Sequence, residues 1–400
     1  MNKNKLNSKE LTAIVAMLTM IGPFSIDTYL PSFPDIELEY HISRALLSQS
    51  LGLYLAAFAL STLVMGPVTD KLGRRNVIIF SLIFYLAASI GCAVSPNYHV
   101  FLGFRILQGA AAAGGLVAGR AMIRDVHSPQ EAHRAISKVM MLFAVAPAVA
   151  PIIGGLLHDW FGWRSVFYFL SGYSALVTAL LFFRVPETLS IDKRQSIHPA
   201  NIARLYRDTL VHPRFLRLVL TTAFIFSGMF VYVAGAPSFI YDFFNLASDD
   251  FYILFAPLVC GLMVGAWISG KLSHRWPMES TVKLALLSLF IGAMLNVAQA
   301  YWLEPELVLS IIPLIFYTCG LGIAMPALTV LSMDCFPYNR GSATAMQGFT
   351  QMMGNALNTS IVVPLLIAQP LTMALGQAVF LMCALLLWWR LPSAKNKMEH

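Results

Sequence analysis

Twelve apolar runs, each near the ~20 residues that carry a helix across the hydrocarbon of a bilayer, dominate this chain. They begin near Leu11, Leu47, Asn76, Val100, Lys138, Ser165, Phe215, Phe251, Thr281, Leu307, Thr344 and Leu371. Hydrocarbon offers no partner to a backbone N–H or C=O, so a spanning segment must satisfy its own hydrogen bonds as a helix. The expected fold is therefore an all-α membrane protein with twelve transmembrane helices. Hydrophobic residues make up 58% of the sequence and charged residues 12%, against about 25% charged in soluble proteins. At 400 residues the chain has no room for a sizeable domain outside the membrane as well.

Most connections are short, but Pro186 to Arg214 is long, polar and basic and lies between the sixth and seventh spans. It divides the sequence into two six-helix halves: an N-terminal bundle over 1–185, a cytoplasmic central loop over 186–214 and a C-terminal bundle over 215–400. A repeat agrees with the division. Asp70-Lys71-Leu72-Gly73-Arg74-Arg75 has a faded counterpart 200 residues on, in Gly270-Lys271-Leu272-Ser273-His274-Arg275. Transporters assembled from repeated halves hold their substrate near the bilayer midplane.

The formal charge of +7 raises nucleic acid as a partner, and the positions of the charges argue against it. Lys71, Arg74, Arg75, Arg120, Arg124, Arg134, Lys138, Lys193, Arg194, Arg204, Arg207, Arg214 and Arg217 fall in connections on one side. The opposite connections carry Asp35, Glu37, Glu39, Asp159, Asp242, Asp249, Asp250, Glu304 and Glu306, with Arg44 and Arg164 as their cations. The positive-inside rule then places both termini in the cytoplasm. Cys92, Cys260, Cys319, Cys335 and Cys383 form no C-x-x-C pair and read as buried apolar fillers. Leu11 to Leu30 reads as the first span rather than a cleaved signal, because no small-residue cleavage site follows it.

Charge inside hydrocarbon costs about 2.5 to 3.5 kcal/mol per Asp or Arg, so intramembrane charges are functional candidates. Two stand out, Asp27 late in the first span and Arg105 early in the fourth. Each is expected about 9 Å from the outer end of its helix, at one level. The pair reads either as a carboxyl that changes protonation as its cavity opens to each side, or as a buried salt bridge locking two helices. Gln108 and the small residues Gly109 to Gly115 follow Arg105 and suit close helix packing. In the fifth span Pro147 and Pro151 bend the helix ahead of Gly154 and Gly155, which fits a moving interface or simple tolerance of proline. Gln347, Gln351, Asn355, Asn358 and Thr359 make one polar stripe on the eleventh span, facing a wet cavity or gluing helices. Tyr54, Tyr232, Phe239 and the many methionines are candidates for an adaptable substrate wall.

The turn from Gly66 through Asp70, Gly73, Arg74 and Arg75 reads as an interfacial hinge. Its glycines allow helix ends to approach, Asp70 can accept hydrogen bonds or sit at the positive end of a neighbouring helix, and the cations stay at the headgroups. Together with Asp27-Thr28-Tyr29-Leu30-Pro31-Ser32-Phe33-Pro34, Arg105-x-x-Gln108-Gly109, Pro151-x-x-Gly154-Gly155, Phe161-Gly162-Trp163-Arg164 and Pro186-Glu187-Thr188-Leu189, this turn resembles the major facilitator superfamily. More narrowly, the set resembles its twelve-helix drug/proton antiporters of the bicyclomycin and chloramphenicol resistance type.

The resemblance covers almost the whole chain. It implies roles for Asp27 and Arg105 in proton coupling and substrate binding, with Tyr29 and Gln108 in the same motifs. It also implies a conformational latch at Gly66 to Arg75 and an exporter element at Pro147, Pro151, Gly154 and Gly155. Ala146 and Ala150 stand where that element usually has glycine, and the second-half turn has lost its aspartate at Gly270.

The expected function is proton-driven export of small amphipathic drug-like compounds from the bacterial inner membrane, by a monomeric secondary transporter rather than an enzyme. It needs no cofactor or metal, and its partners are protons, drug-like molecules and the lipid bilayer. No Gly-x-x-x-x-Gly-Lys-Ser/Thr loop marks an ATP pump. A proton-coupled importer of a metabolite and a non-transporting membrane receptor are the alternatives.

Overall fold

A computed structural model describes residues 8–194, 206–207, 209, 211–273, 275–336 and 340–391. Every regular element among them is helical. In order they are α1 (Ser8–Asp27), α2 (Phe33–Tyr40), α3 (Arg44–Leu72), α4 (Arg74–Ala93), α5 (Tyr98–Val126), α6 (Pro129–Phe161) and α7 (Arg164–Arg184), followed by α8 (Pro213–Ala234), α9 (Phe251–Leu272), α10 (Met278–Trp302), α11 (Leu307–Asp334), α12 (Arg340–Leu357), α13 (Val363–Leu366) and α14 (Pro370–Trp389). Much of the expected central loop, at 195–205, 208 and 210, lies outside the described residues, as does His274 of the faded repeat.

Among the described residues, eleven helical segments are long and apolar enough to cross a membrane. The remaining span is α12, which continues through the π-helical turn Asn358–Val362 into α13. Its polar stripe dilutes the apolar signal that marks the others. Large apolar side chains lie exposed along these helices, among them Phe80, Phe183, Leu365 and Trp389. An exposed apolar stripe on a spanning helix faces lipid, and this also corrects the reading of the cysteines. Cys92 is buried, but Cys260 is exposed and Cys319, Cys335 and Cys383 are half-buried, because an apolar residue here has two places to go.

Two boundaries differ from those read off hydropathy. The fifth span starts at Pro129, nine residues ahead of Lys138, since Glu131, Arg134 and Lys138 ride on the first turns of α6. A capping box fixes that start: Ser128 accepts from the Glu131 N–H while the Glu131 carboxylate accepts from the Ser128 N–H. The first span does not end soon after Asp27. It passes through a 3-10 turn, Leu30–Ser32, into α2, so Asp27 lies thirteen residues before Tyr40 rather than about six from the helix end.

Asp35, Glu37 and Glu39, assigned to an outer connection, therefore project from α2, and each has a side-chain partner. Glu37 pairs with Arg44 at 2.8 Å, Asp35 with His158 at 2.9 Å, and Glu39 with Arg164. Glu39 also accepts from the Trp163 indole N–H at 2.7 Å.

The chain divides into two compact units, Met1–Ile197 with Ala247–Tyr252, and His198–Leu246 with Ile253–His400. In the first, an aromatic cluster of Tyr40, Phe101, Trp163 and Phe167 fills the core beside α2. In the second, Leu218, Ile225, Leu289, Tyr317, Leu321 and Leu381 form the core. α3 and α9 both stop one residue after a lysine, at Leu72 and Leu272, the same 200-residue offset as the faded repeat.

Candidate functional site

Helices of the first unit meet at Arg105, the largest fully buried side chain among the described residues. α5 supplies Arg105 and Gln108, one turn apart on one face, and the guanidinium donates through Nη1 to Gln108 Oε1 at 2.5 Å. Gln108 in turn donates to Ser89 Oγ of α4 at 2.8 Å. The second terminal nitrogen, Nη2, donates to the carbonyl oxygen of Ser25 in α1 at 3.2 Å. Ser25 Oγ lies 2.6 Å from the Tyr85 hydroxyl of α4, so α1, α4 and α5 are tied in one polar ring around the cation.

The guanidinium faces are covered by aromatic rings. The Tyr29 and Tyr54 centroids each lie 4.5 Å from its central carbon, and that of Phe167 lies at 5.9 Å. Such contacts stabilise a cation by about 2 kcal/mol when desolvated. The Tyr29 hydroxyl is 2.9 Å from Ser50 Oγ, fixing its ring. Tyr54 reaches the cluster because α3 lies directly on α5: a Cβ at Gly109 would overlap the Tyr54 carbonyl. Glycine is required there by contact, not by φ.

Asp27 closes α1 two residues beyond Ser25 and is buried. No ion pair joins it to Arg105, and its Oδ1 is enclosed without a hydrogen-bond partner. The buried salt bridge weighed from the sequence does not form. Arg105 gives its terminal nitrogens to neutral acceptors and its faces to aromatic rings, and its Nε is enclosed without a partner.

Immediately after Asp27, the Thr28 carbonyl lies against Gly154 of α6, where any Cβ would collide with it. Pro151 and Pro147 lie within α6 one and two turns earlier. Gly155 in the same way admits the Ser248 carbonyl. Of the four residues of the expected exporter element, Gly154 is the one that abuts the end of α1. Tyr232 sits in the second unit, accepting from Asn296 Nδ2 at 2.6 Å, and the same amide donates to Gln377 Oε1 at 2.8 Å.

The Gly66 to Arg75 turn forms a second, separate assembly. Gly73 ends α3 with φ of +95° and also precedes α4, a conformation that glycine alone adopts freely. A Cβ at Gly73 would meet the Glu187 carboxylate, whereas one at Gly66 would meet nothing within 4 Å, so close approach is required at the first and not at the second.

Glu187 explains the crowding. Its Oε1 accepts from the Arg74 N–H at 2.9 Å and the Leu189 N–H at 3.0 Å, and its Oε2 accepts from the Arg75 N–H at 3.2 Å. The carboxylate thereby caps the start of α4, where free N–H groups and the helix dipole favour an anion.

Arg75 does the converse at the end of α7, donating to the carbonyls of Phe182 and Val185 at 2.8 Å each. Arg74 pairs with Asp70 and with Asp125 of α5, the latter at 3.3 Å, and donates to Thr69 Oγ1 at 2.7 Å. Asp70 thus meets a cation one turn along, at Arg74. Sequence reasoning passed over Glu187 as chemistry, and it missed Asp125, Ser25, Tyr85 and Ser89. Only the Pro186-Glu187-Thr188-Leu189 motif signalled any of them.

The fold and these two assemblies define a multi-pass helical transporter. The Major Facilitator Superfamily description matches residues 15–359, and the chain belongs to that superfamily, a family of transporters rather than enzymes.

Among similar proteins, an uncharacterized MFS-type transporter of Bacillus subtilis is 30% identical over 88% of each chain. The Multidrug resistance protein D of Escherichia coli is 25% identical over 98% of this chain and 97% of its own. The chloramphenicol resistance protein of Pseudomonas aeruginosa is 27% identical over 84% of this chain and 80% of its own. In fold, the chain is similar to a crystal structure of a D-xylose-proton symporter, with a TM-score of 0.75, 14% identity and coverage of 97% and 99%. A bacterial homolog of the human lysosomal transporter Spinster gives a TM-score of 0.74 at 18% identity, covering 97% of each chain.

Proposed function

We propose that this transporter is an inner-membrane multidrug/proton antiporter that exports small, amphipathic drug-like compounds by alternating access. In this reading it works as a monomer with both termini cytoplasmic, and it is organised as bundles over 1–185 and 215–400 joined by a cytoplasmic loop over 186–214. The names of the resistance proteins that it resembles support export of drug-like molecules. The observation that carries the proton is Asp27: a carboxyl enclosed in a spanning helix, with one oxygen unpartnered and no ion pair to hold it charged. An enclosed charge without a partner is costly, and picking up a proton removes it.

In this reading Asp27 takes and releases the proton, while Arg105, Gln108, Tyr29 and Tyr54 present a cationic, aromatic surface to substrate. Tyr232 is a separate substrate-contact candidate within the second unit. The turn from Gly66 through Asp70, Gly73, Arg74 and Arg75 latches one conformation, and Pro147, Pro151, Gly154 and Gly155 let α6 seal the end of α1. A proton moving inward through 100 mV releases about 2.3 kcal/mol, enough to drive export without ATP.

The test is substrate-induced proton release from purified protein in detergent, with chloramphenicol as substrate, read beside melting temperature. Asp27→Asn is expected to abolish the release. Its melting temperature should stay within a few degrees of wild type, because no ion pair is broken. Undiminished proton release from a stable Asn variant removes the carrier role from Asp27.

A further inference from the structure

The polar stripe of the eleventh span is only partly satisfied. Gln347 donates to Thr329 Oγ1 at 3.0 Å, tying α12 to α11, while its own Oε1 is enclosed without a partner. Ser227 of α8 is engaged twice: its Oγ donates to Asn355 Oδ1 at 3.2 Å, and its carbonyl accepts from Asn358 Nδ2 at 2.9 Å. The other halves of those amides go unused. Asn355 Nδ2, Asn358 Oδ1 and Thr359 Oγ1 are all enclosed and have no hydrogen-bond partner, on side chains that are themselves buried.

Exchanging the oxygen and nitrogen of either amide would still leave one atom of each unmatched, so the deficit does not depend on how the amides are oriented. A donor, an acceptor and a hydroxyl thus stand unpaired within five residues. Buried polar atoms are otherwise almost always paired, and a group of exceptions calls for an occupant.

Two further observations give the occupant its chemistry. The unpaired atoms lie where α12 widens into the π-helical turn Asn358–Val362, a distortion that recurs at functional sites. And no charged residue occurs from Leu218 to Ala234 on α8 or from Gly341 to Leu366 on α12 and α13. The Tyr232, Asn296 and Gln377 cluster of the same unit shows the contrast, since there the amide of Asn296 is spent on two internal acceptors.

We propose that Asn355, Asn358 and Thr359 form a neutral subsite that takes an uncharged substrate group offering both a hydrogen-bond donor and an acceptor, such as an amide or a hydroxyl. This rests on the reading of the protein as a drug transporter and assigns to it a class of substrate that the Arg105 cluster does not select. Thr359 is the residue to test, because its hydroxyl makes no bond within the protein and Val keeps its shape.

The experiment measures binding to the purified full-length protein of two probes: chloramphenicol, neutral and bearing an amide and hydroxyls, and tetraphenylphosphonium, an apolar cation with neither. Thr359→Val is expected to weaken chloramphenicol about tenfold with tetraphenylphosphonium and the melting temperature unchanged, and Thr359→Ser to restore it. Equal chloramphenicol binding by wild type and Thr359→Val means that a water alone occupies the site and overturns the proposal. So does a parallel loss of both probes, or a wild-type protein that does not bind chloramphenicol. Failure of the transport reading appears elsewhere, as wild-type protein that binds a probe and releases no proton.

Discussion

At the scale of single residues, Arg105 is a fully buried cation with no carboxylate partner. A buried guanidinium normally requires one. Here the charge is spread over two tyrosine rings and neutral oxygens from Gln108 and Ser25. That arrangement needs a planar fork with stackable faces, which lysine lacks. Arg105→Lys is therefore expected to lower proton-driven chloramphenicol uptake into everted membrane vesicles, the direction of export, at least about tenfold, even though the charge is kept. Uptake within twofold of wild type would show that charge alone suffices and that the aromatic clamp is incidental. The sequence singled out Arg105 because charge inside an apolar run is visible in one dimension. Ser25, Tyr85 and Ser89 could not be found that way, since serine and tyrosine are ordinary residues of spanning helices until their partners are known.

At the scale of elements, the turn between α3 and α4 is held by reciprocal capping. Glu187, from the chain after α7, caps the start of α4, and Arg75, from the start of α4, caps the end of α7. Two helix ends with opposite dipoles are each given the charge that stabilises them. Glu187→Ala removes three accepted hydrogen bonds and is expected to cost about 1 to 2 kcal/mol, the range of a lost N-cap. Heat-induced loss of chloramphenicol binding is the measurement, and an unchanged midpoint would mean that water caps α4 equally well. Glu187→Gln keeps one strong acceptor and should fall between Ala and wild type. The turn itself was legible as a charged hinge, but its partner was not. Glu187 is 113 positions from Arg74, and capping at that distance depends on where α7 ends, which hydropathy locates only to within a turn.

At the scale of the whole molecule, the orientation proposed from the charge asymmetry has a direct check. In a background without native cysteines, a membrane-impermeant thiol reagent applied to intact cells should label a cysteine placed at Glu304, which is exposed. One placed at exposed Ser190 should react only after the membrane is opened. The reverse pattern would invert every assignment of side.

The sequence by itself determined that this chain is all-helical and membrane-spanning, with its charges sorted by side. Hydrocarbon enforces these properties on each segment independently, through residues that are neighbours in the chain. Tertiary structure decided which polar groups are paired and which are not. It left Asp27 without the partner that its depth suggested, and it gave Asp70 to Arg74. It sent Tyr232 to a satisfied cluster and left Asn355, Asn358 and Thr359 with unspent hydrogen bonds. Pairing depends on the rotation and register of helices distant in sequence, and inside a low-dielectric bundle a shift of one hydrogen-bond length separates a spent group from an available one.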